Sequence, residues 1–240
     1  DKFISHAMEV DVDAISDGKQ VFVAGIMQHI EEAGIHSGDS ACSLPPHSLP
    51  DDVLDDMRRQ VKPMAKELNV IGLMTTQLAY QDGEIYVIEV NPRASRTVPF
   101  VSKATSASIA NIAARVMDGI SLEEQNFTSE IIPKHYSVKE SVFPFNKFLG
   151  VDPFLGPEMR STGEVMGVGP DFPSAFDKAL LAAGDIIPTS GKVLVSLRTL
   201  DRGRLVELGQ RLTSHGFEIV ATRTNQEILK QAGLECTMVN

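Results

Sequence analysis

The pattern of candidate strands and helices changes near residue 184. Before that point, alternating strands are joined by short Asp-Gly turns, which is typical of antiparallel hairpins. After it, short apolar strands alternate with amphipathic helices, which is typical of a parallel sheet. The sequence therefore predicts an antiparallel α+β part, followed from residue 184 by the start of a doubly wound α/β domain.

Two hairpins are predicted in the first part. Their strands cover residues 8–15, 21–30, 71–80 and 84–90. The first strand alternates apolar with acidic side chains, so we expect it to be half-buried, with its acidic face in solvent. An Asp-Gly pair lies in the turn of each hairpin, which favours tight antiparallel pairing.

Helices are predicted where apolar side chains recur at helical spacing. The first part has one over residues 51–68, kinked at Pro63, and another over residues 107–117. Residues 31–50 and 143–169 show no period and are rich in Gly and Pro, which indicates irregular structure. The elements of the second part are strands over residues 193–197, 218–221 and 236–239 and helices over residues 204–214 and 225–232.

Charge and cysteine content exclude several classes of protein. The chain has 22 Lys and Arg against 32 Asp and Glu, and a net charge of −10 does not suit binding to nucleic acid or to an anionic membrane. No apolar run approaches the ~20 residues of a membrane span, so we expect a soluble protein. Cys42 and Cys236 form neither a disulfide framework nor a zinc motif, which indicates a reducing, cytoplasmic compartment. Because the chain lacks an initiator Met and a signal peptide, we expect it to be part of a longer chain.

The second hairpin carries a candidate metal site. A three-residue turn places Gln77 opposite Glu89, and Asn91 projects from the same strand face as Glu89. A carboxylate with two carboxamides is a set of oxygen ligands suited to Mg²⁺. Phosphate oxygens and water would complete the coordination shell of the ion. Arg93 and Arg96 follow at once and are suited to a phosphoryl group or another oxyanion. Spacing alone also allows a solvated strand end with surface ion pairs.

Three stretches of sequence resemble a known family. They are "IEVNPRASRTVPFVSKAT" over residues 88–105, "GIHSGDSACSLP" over residues 34–45 and "GPEMRSTGEVMG" over residues 156–167. They closely resemble the large subunit of carbamoyl phosphate synthases, and the resemblance extends over essentially the whole chain. The wording "RTVPFVSKAT" is similar to the C-terminal half of that subunit, which phosphorylates carbamate.

The resemblance implies a fold and its divisions. Residues 1–120 are expected to form the C-terminal lobe of an ATP-grasp fold, an antiparallel sheet with helices, and residues 121–183 its remainder and connection. Residues 184–240 are similar to the start of a methylglyoxal-synthase-like allosteric domain, which is α/β. The other ATP-grasp lobe is expected before residue 1, so the isolated chain should bind ATP weakly.

The resemblance also implies site residues. The family's metal ligands for Mg²⁺ or Mn²⁺ match Gln77, Glu89 and Asn91, and the first two also contact the nucleotide. The residues that match its other nucleotide contacts are Glu9, Gly34, Ile35, His36 and Ser37. Arg96 and Arg93 match positions beside the reacting phosphate. His29 and Glu31 match a K⁺ site, although a charged loop entrance would look the same. Without the family, a solvated strand face accounts for Glu9 and loop hydrogen bonding for His36.

The implied reaction is phosphoryl transfer from ATP to carbamate, which yields carbamoyl phosphate for arginine and pyrimidine biosynthesis. The implied partners are a glutaminase small subunit and the rest of the large subunit. Implied regulators are ornithine, at Glu31, Asp39 and Glu140, and a nucleotide monophosphate, whose phosphate site includes Thr222. Two departures stand out. Residues 222–225 read Thr-Arg-Thr-Asn where relatives commonly have Thr-His-Gly-Thr, and Ser106 replaces a Gly usual after "SKAT".

Two other functions remain compatible with parts of the sequence. One is another ATP-grasp carboxylate-amine ligase or carboxylase, which would share the acidic residue and the following Asn but not "RTVPFVSKAT". The other is a non-catalytic effector-binding module built on residues 184–240. Activity after substitution of Gln77 or Glu89 separates a catalytic protein from such a module.

Overall fold

The computed structural model describes Ile4, residues 7–147 and residues 150–239. The chain divides into two compact units, residues 1–185 and residues 186–240. Each unit has its own sheet and its own apolar core. Among the described residues, no helix is both long enough and apolar enough to cross a membrane.

The first unit is built on a seven-stranded sheet with the order β5-β4-β1-β2-β3-β6-β7. Its strands are β1 Met8–Asp17, β2 Val21–Glu32, β3 Cys42–Leu44, β4 Ile71–Gln81, β5 Glu84–Asn91, β6 Tyr136–Val142 and β7 Gly163–Gly169. Every neighbouring pair is antiparallel, which confirms the predicted antiparallel α+β architecture. Both predicted hairpins are present, as β1-β2 and β4-β5.

Helices cover both faces of this sheet. They are α1 Asp51–Glu67, α2 Val98–Thr105, α3 Ile109–Met117 and α4 Phe172–Ala183. The buried stripe of α1, which includes Met57 and Val61, packs with Val10 and Val12 of β1. On the opposite face, the side chains of α2 and α3 pack with Ile15. The helix α1 runs without interruption through Pro63.

The prediction of a solvated acidic face on β1 was wrong. Glu9, Asp11 and Asp13 are 4%, 2% and 1% exposed. They share a strand face with Ile15. The helices α2 and α3 pack on Ile15, Ser95 and Thr97 cover Asp13, and Glu9 and Asp11 line a cleft. Alternation reports which side chains share a face, but it does not report whether water or protein covers that face.

The stretches predicted to be irregular contain regular structure. The strand β3 lies within residues 31–50, and residues 143–169 contain both β7 and a 3₁₀ turn at Phe145–Lys147. The strand β6 and the helices α2 and α4 were not predicted, although α4 has an Asp at its N-cap and a Gly at its C-cap. The strand β3 is too short to show a period, and β7 contains glycines because α4 lies against it: a Cβ at Gly167 would be 2.1 Å from the Ala175 carbonyl oxygen.

The second unit contains a three-stranded parallel sheet with the order β10-β9-β8. Its elements are β8 Gly191–Val195, a 3₁₀ turn Thr199–Arg204, α5 Leu205–Ser214, β9 Phe217–Thr222, α6 Arg223–Gln231 and β10 Thr237–Val239. A Cβ on Gly209 of α5 would lie 2.7 Å from Leu229 of α6, so the two helices pack closely on one face. The predicted parallel α/β pattern is confirmed. Within the described residues the strands follow one another in order, without the reversal that defines a doubly wound sheet.

Candidate active site

An open cleft of about 530 Å³ is formed by β1, β4, β5 and the loops after β2 and β5. Every residue predicted to contact ATP, its Mg²⁺ or the reacting phosphate lines it: Glu9, Gly34, Ile35, His36, Ser37, Gln77, Glu89, Asn91, Arg93 and Arg96. The lining residues that the sequence did not single out are Asp11, Thr75, Ile88, Ser95, Thr97 and Pro157. The fold thus brings residues from distant parts of the chain to one concave, polar surface.

The register of the β4-β5 hairpin places the candidate metal ligands together. Its turn has two residues, Asp82 and Gly83, both at positive φ, and not the three predicted. A bulge at Ile88 then adds one residue to β5, so that Gln77 pairs with Glu89. The predicted pairing is therefore correct, but a bulge produces it and not a longer turn.

The donor set of this hairpin fits a hard divalent cation. Asn91 Nδ2 donates to Glu89 Oε1 at 2.7 Å, and Gln77 lies directly across from Glu89. Glu89 is exposed, and Gln77 and Asn91 are half-buried, so phosphate and water can reach the same ion. Rotation of the Asn91 amide presents its oxygen beside the carboxylate. Gln77, Glu89 and Asn91 would hold Mg²⁺ or Mn²⁺.

A second cluster of acidic groups lies deeper in the cleft. His29 Nδ1 is 3.6 Å from Glu9 Oε1, and His29 Nε2 is 3.2 Å from Asp11 Oδ2. Burial opposes charge on His29, but the two carboxylates outweigh it and raise the pKa of the imidazole. Although the ion-pair distances are short, neither His29 nitrogen nor Asp11 Oδ1 makes a hydrogen bond of good geometry among the described residues, so the cluster can accept a cation or water. Glu31 is not a member of this cluster: its carboxylate accepts from Ala41 N at 2.7 Å, although its charge interacts with that of His29.

The loop after β2 forms one wall of the cleft. Gly34 N donates to Glu9 Oε2 at 3.3 Å, which ties the loop to β1. His36 N donates to the Gly156 carbonyl at 2.9 Å, and His36 Nδ1 accepts from Gly38 N at 3.0 Å. Through its backbone amide and Nδ1, His36 thus holds the shape of this loop.

The two arginines follow β5 on an exposed segment. Arg93 donates to the Ala94 carbonyl, and the Arg96 guanidinium contacts the Met159 sulfur. Within the part of the chain that the structure describes, neither forms a salt bridge with a carboxylate. Both guanidinium groups therefore remain available to an anion in the cleft.

Asp13 is a site residue that sequence reasoning missed. Its carboxylate accepts hydrogen bonds from Thr75, Ser95 and Thr97, and two of these side chains flank Arg96. Burial raises the pKa of Asp13 to about 6, although the hydroxyl groups oppose that shift. The signal available in the sequence was its position on the same strand face as Glu9.

The residues predicted for regulation lie outside the cleft lining. The Asp39 carboxylate accepts from the backbone amides of Arg160 and Ser161, at 2.7 and 2.8 Å. Burial raises the pKa of Glu140 to about 7, and the nearby Glu31 adds to the shift. Glu31 and Glu140 are thus close, while Asp39 holds a backbone segment.

Thr222, predicted for an effector phosphate, belongs to the second unit. Its Oγ1 accepts from Asn225 Nδ2 at 2.8 Å at the start of α6. Asn225 is 1% exposed and also bonds to the Leu197 carbonyl. Asn225, one of the residues that depart from the family pattern, therefore donates a hydrogen bond to the Thr222 hydroxyl oxygen.

Comparison with known proteins decides the family. A sequence profile of the family "Carbamoyl-phosphate synthase L chain, ATP binding domain" matches residues 1–125. The chain belongs to this family. Its whole length is 60% identical to a carbamoyl phosphate synthase large chain of Halomonas eurihalina, of which it covers 23%, and 58% identical to that of Vibrio vulnificus (strain CMCP6), of which it covers 22%. The chain thus spans less than a quarter of the length of these relatives.

A solved structure shows the fold to be shared more widely. The chain resembles the biotin carboxylase domain of a single-chain bacterial carboxylase, with a TM-score of 0.59 at 17% identity over 76% of this chain and 47% of that one. This confirms the predicted ATP-grasp-like sheet with its helices. The likeness concerns the fold alone, and the effector-domain identity of residues 184–240 stays a prediction.

Proposed function

We propose that the first unit is the nucleotide- and metal-binding lobe of the carbamate-phosphorylating site of a carbamoyl phosphate synthase large chain. The reaction is transfer of the γ-phosphoryl group of ATP to carbamate, giving ADP and carbamoyl phosphate. The observation that carries the proposal is the convergence of Gln77, Glu89 and Asn91 in one cleft with Arg93 and Arg96. Membership of the family supports the choice of substrates.

The nucleoside end of ATP is held by β1 and the loop after β2. Glu9 accepts hydrogen bonds from ribose hydroxyls, and the backbone from Gly34 to Ser37 contacts the nucleotide. Glu9 is suited to this because its carboxylate is already oriented by Gly34 N. This placement directs the triphosphate toward Gln77 and Glu89.

The reacting end lies between the hairpin and the arginines. Divalent ions held by Gln77, Glu89 and Asn91 would neutralise charge on the phosphates. A carbamate oxygen attacks the γ-phosphorus while the bond to the β-phosphate oxygen breaks, and the bond electrons leave with ADP. Arg96 and Arg93 stabilise charge on the transferring group. A general base is not needed because the carbamate oxygen is already ionised.

The proposal extends to the whole polypeptide and its regulation. Residues 1–120 would form the ATP-grasp lobe, residues 121–183 its connection, and residues 184–240 the start of a methylglyoxal-synthase-like domain. The partners would be a glutaminase small subunit and the rest of the large subunit, in the cytoplasm, with the product entering arginine and pyrimidine biosynthesis. The names of the relatives support a large chain of a multi-subunit synthase.

Regulatory ligands complete the proposal. Ornithine would bind near Glu31, Asp39 and Glu140, where adjacent acids suit ammonium groups. A nucleotide monophosphate would bind at Thr222 after displacing the Asn225 amide. K⁺ would bind beside His29 and Glu31, and the unpartnered buried atoms of His29 and its neighbour Asp11 support a cation there.

Glu89→Gln tests the reaction. In the full-length polypeptide that carries this chain, we measure ATP formation from ADP and carbamoyl phosphate, which is the reverse of the proposed step. We expect a loss of about 100-fold or more, the scale of removing one charge-stabilising group. Glu84→Gln at the far end of the same strand is the matched control and should retain activity. Undiminished ATP formation by Glu89→Gln would remove the metal assignment.

A further inference from the structure

Asp13 lies in the middle of β1 and is 1% exposed. Its Oδ1 accepts from Thr75 Oγ1 at 2.5 Å, and its Oδ2 accepts from Thr97 Oγ1 at 2.7 Å. Ser95 Oγ lies 3.0 and 3.1 Å from the two oxygens and 2.6 Å from Thr97 Oγ1. One buried carboxylate therefore binds three hydroxyl groups from β4 and from the segment after β5.

Two of these hydroxyl groups lie on either side of Arg96. Ser95 and Thr97 are turned toward the sheet, while Arg96 between them is exposed and lines the cleft. The Thr97 hydroxyl makes no capping bond to α2, so holding the segment to Asp13 is the contact that the structure assigns to it. Because both neighbours are fixed, the backbone at Arg96 has little freedom to move.

We propose that Asp13 is a positioning residue that fixes the direction of the Arg96 guanidinium through the hydrogen bonds it accepts from Ser95 and Thr97. The inference rests on the proposed function, in which Arg96 stabilises charge on the transferred group. A carboxylate is suited to the task because its two oxygens accept all three donors at once. An Asn at this position would turn an NH₂ group toward hydroxyl groups and lose part of the set.

Substitution of the two hydroxyl groups tests the proposal with little change in volume. In the full-length polypeptide, Ser95→Ala with Thr97→Val should lower kcat for carbamoyl phosphate formation by about 10- to 100-fold, the cost of a misplaced catalytic group, with the KM for ATP within about twofold. Asp13→Asn should lower kcat by a similar factor and leave the KM for ATP within about twofold. Thr76→Val is the matched control, since the Thr76 hydroxyl is buried without a hydrogen-bond partner among the described residues, and its kcat should be unchanged.

A double-mutant cycle with Arg96→Ala separates positioning from general support of the fold. Arg96→Ala alone should lower kcat by about 100-fold, and adding the Ser95 and Thr97 changes should lower it less than about twofold further, since the group they orient is gone. Full additivity would overturn the proposal, because the hydroxyl groups would then act independently of Arg96.

Two further outcomes are distinguishable. If Arg96→Ala lowers kcat but the Ser95 and Thr97 changes do not, positioning by Asp13 is wrong and the proposed function stands. If Arg96→Ala leaves kcat unchanged, the arginine assignment of the proposed function falls, and this proposal falls with it. Should Asp13→Asn fail to fold, the hydroxyl variants alone decide.

Discussion

Ser106 ends α2 in the left-handed region of backbone space, with φ of 58° and ψ of 22°. A residue with a Cβ is strained there by roughly 1 kcal/mol, whereas Gly adopts the conformation freely. Ser106→Gly should therefore raise the free energy of unfolding by up to about 1 kcal/mol, less the entropy that Gly adds to the unfolded chain. Denaturant unfolding of the 240-residue chain measures the change.

The control for Ser106→Gly is a glycine substitution at a position where glycine should destabilise the fold. Ala114 is exposed in the middle of α3, so Ala114→Gly should lower the unfolding free energy by about 0.5–1 kcal/mol. A destabilising Ser106→Gly would show that the side chain contributes more than its backbone strain costs.

Single residues were predictable where their role is fixed by strand register. Gln77 and Glu89 face each other as expected. The environment of the acids on β1 was not predictable, because Asp13 meets partners 62 to 84 residues away in sequence. A local sequence pattern does not depend on such distant contacts. A buried carboxylate and a solvated one therefore give the same pattern in the sequence.

At the scale of elements, Gly167 is the point of β7 on which α4 packs most closely. A Cβ there would lie 2.1 Å from the Ala175 carbonyl oxygen and 2.5 Å from Ala179 N, so the helix would have to move. Gly167→Ala should lower the free energy of unfolding by about 1–3 kcal/mol through overpacking. It should also speed hydrogen exchange of the backbone amides in α4. Gly163→Ala on the same strand is the control, since its Cβ would meet only Val142 at 3.9 Å. Equal protection of α4 in both variants would contradict this packing.

Elements whose periodic pattern extends over many residues were predictable. Elements that depend on close contact between a strand and a helix were not. The helix α1 shows its stripe over 17 residues, and the β1-β2 hairpin shows its turn. The strand β7 reads as loop because Gly167 and Gly169 make room for α4. The bulge at Ile88 depends on cross-strand packing and left no mark in the sequence.

At the scale of the whole molecule, one chain joins an antiparallel sheet to a parallel one. The change from antiparallel to parallel pairing could be predicted from the sequence. Antiparallel strands can be connected by a two-residue turn, while parallel strands need a crossover helix. The net charge of −10 also has a consequence for the site. In the cleft lining the acids Glu9, Asp11 and Glu89 outnumber Arg93 and Arg96, so an anionic nucleotide needs further cations there, which makes divalent metal central to the proposed function.

Diffraction from crystals of the full-length polypeptide with ADP and Mn²⁺ tests the metal site most directly, since anomalous scattering locates Mn²⁺ independently of the protein. We predict an anomalous peak at roughly 2.1–2.3 Å from side-chain oxygens of Glu89 and Asn91 or Gln77, in contact with the ADP phosphates. The peak should disappear in Glu89→Gln. A peak at the Glu9, Asp11 and His29 cluster, with none at the β4-β5 hairpin, would contradict the account.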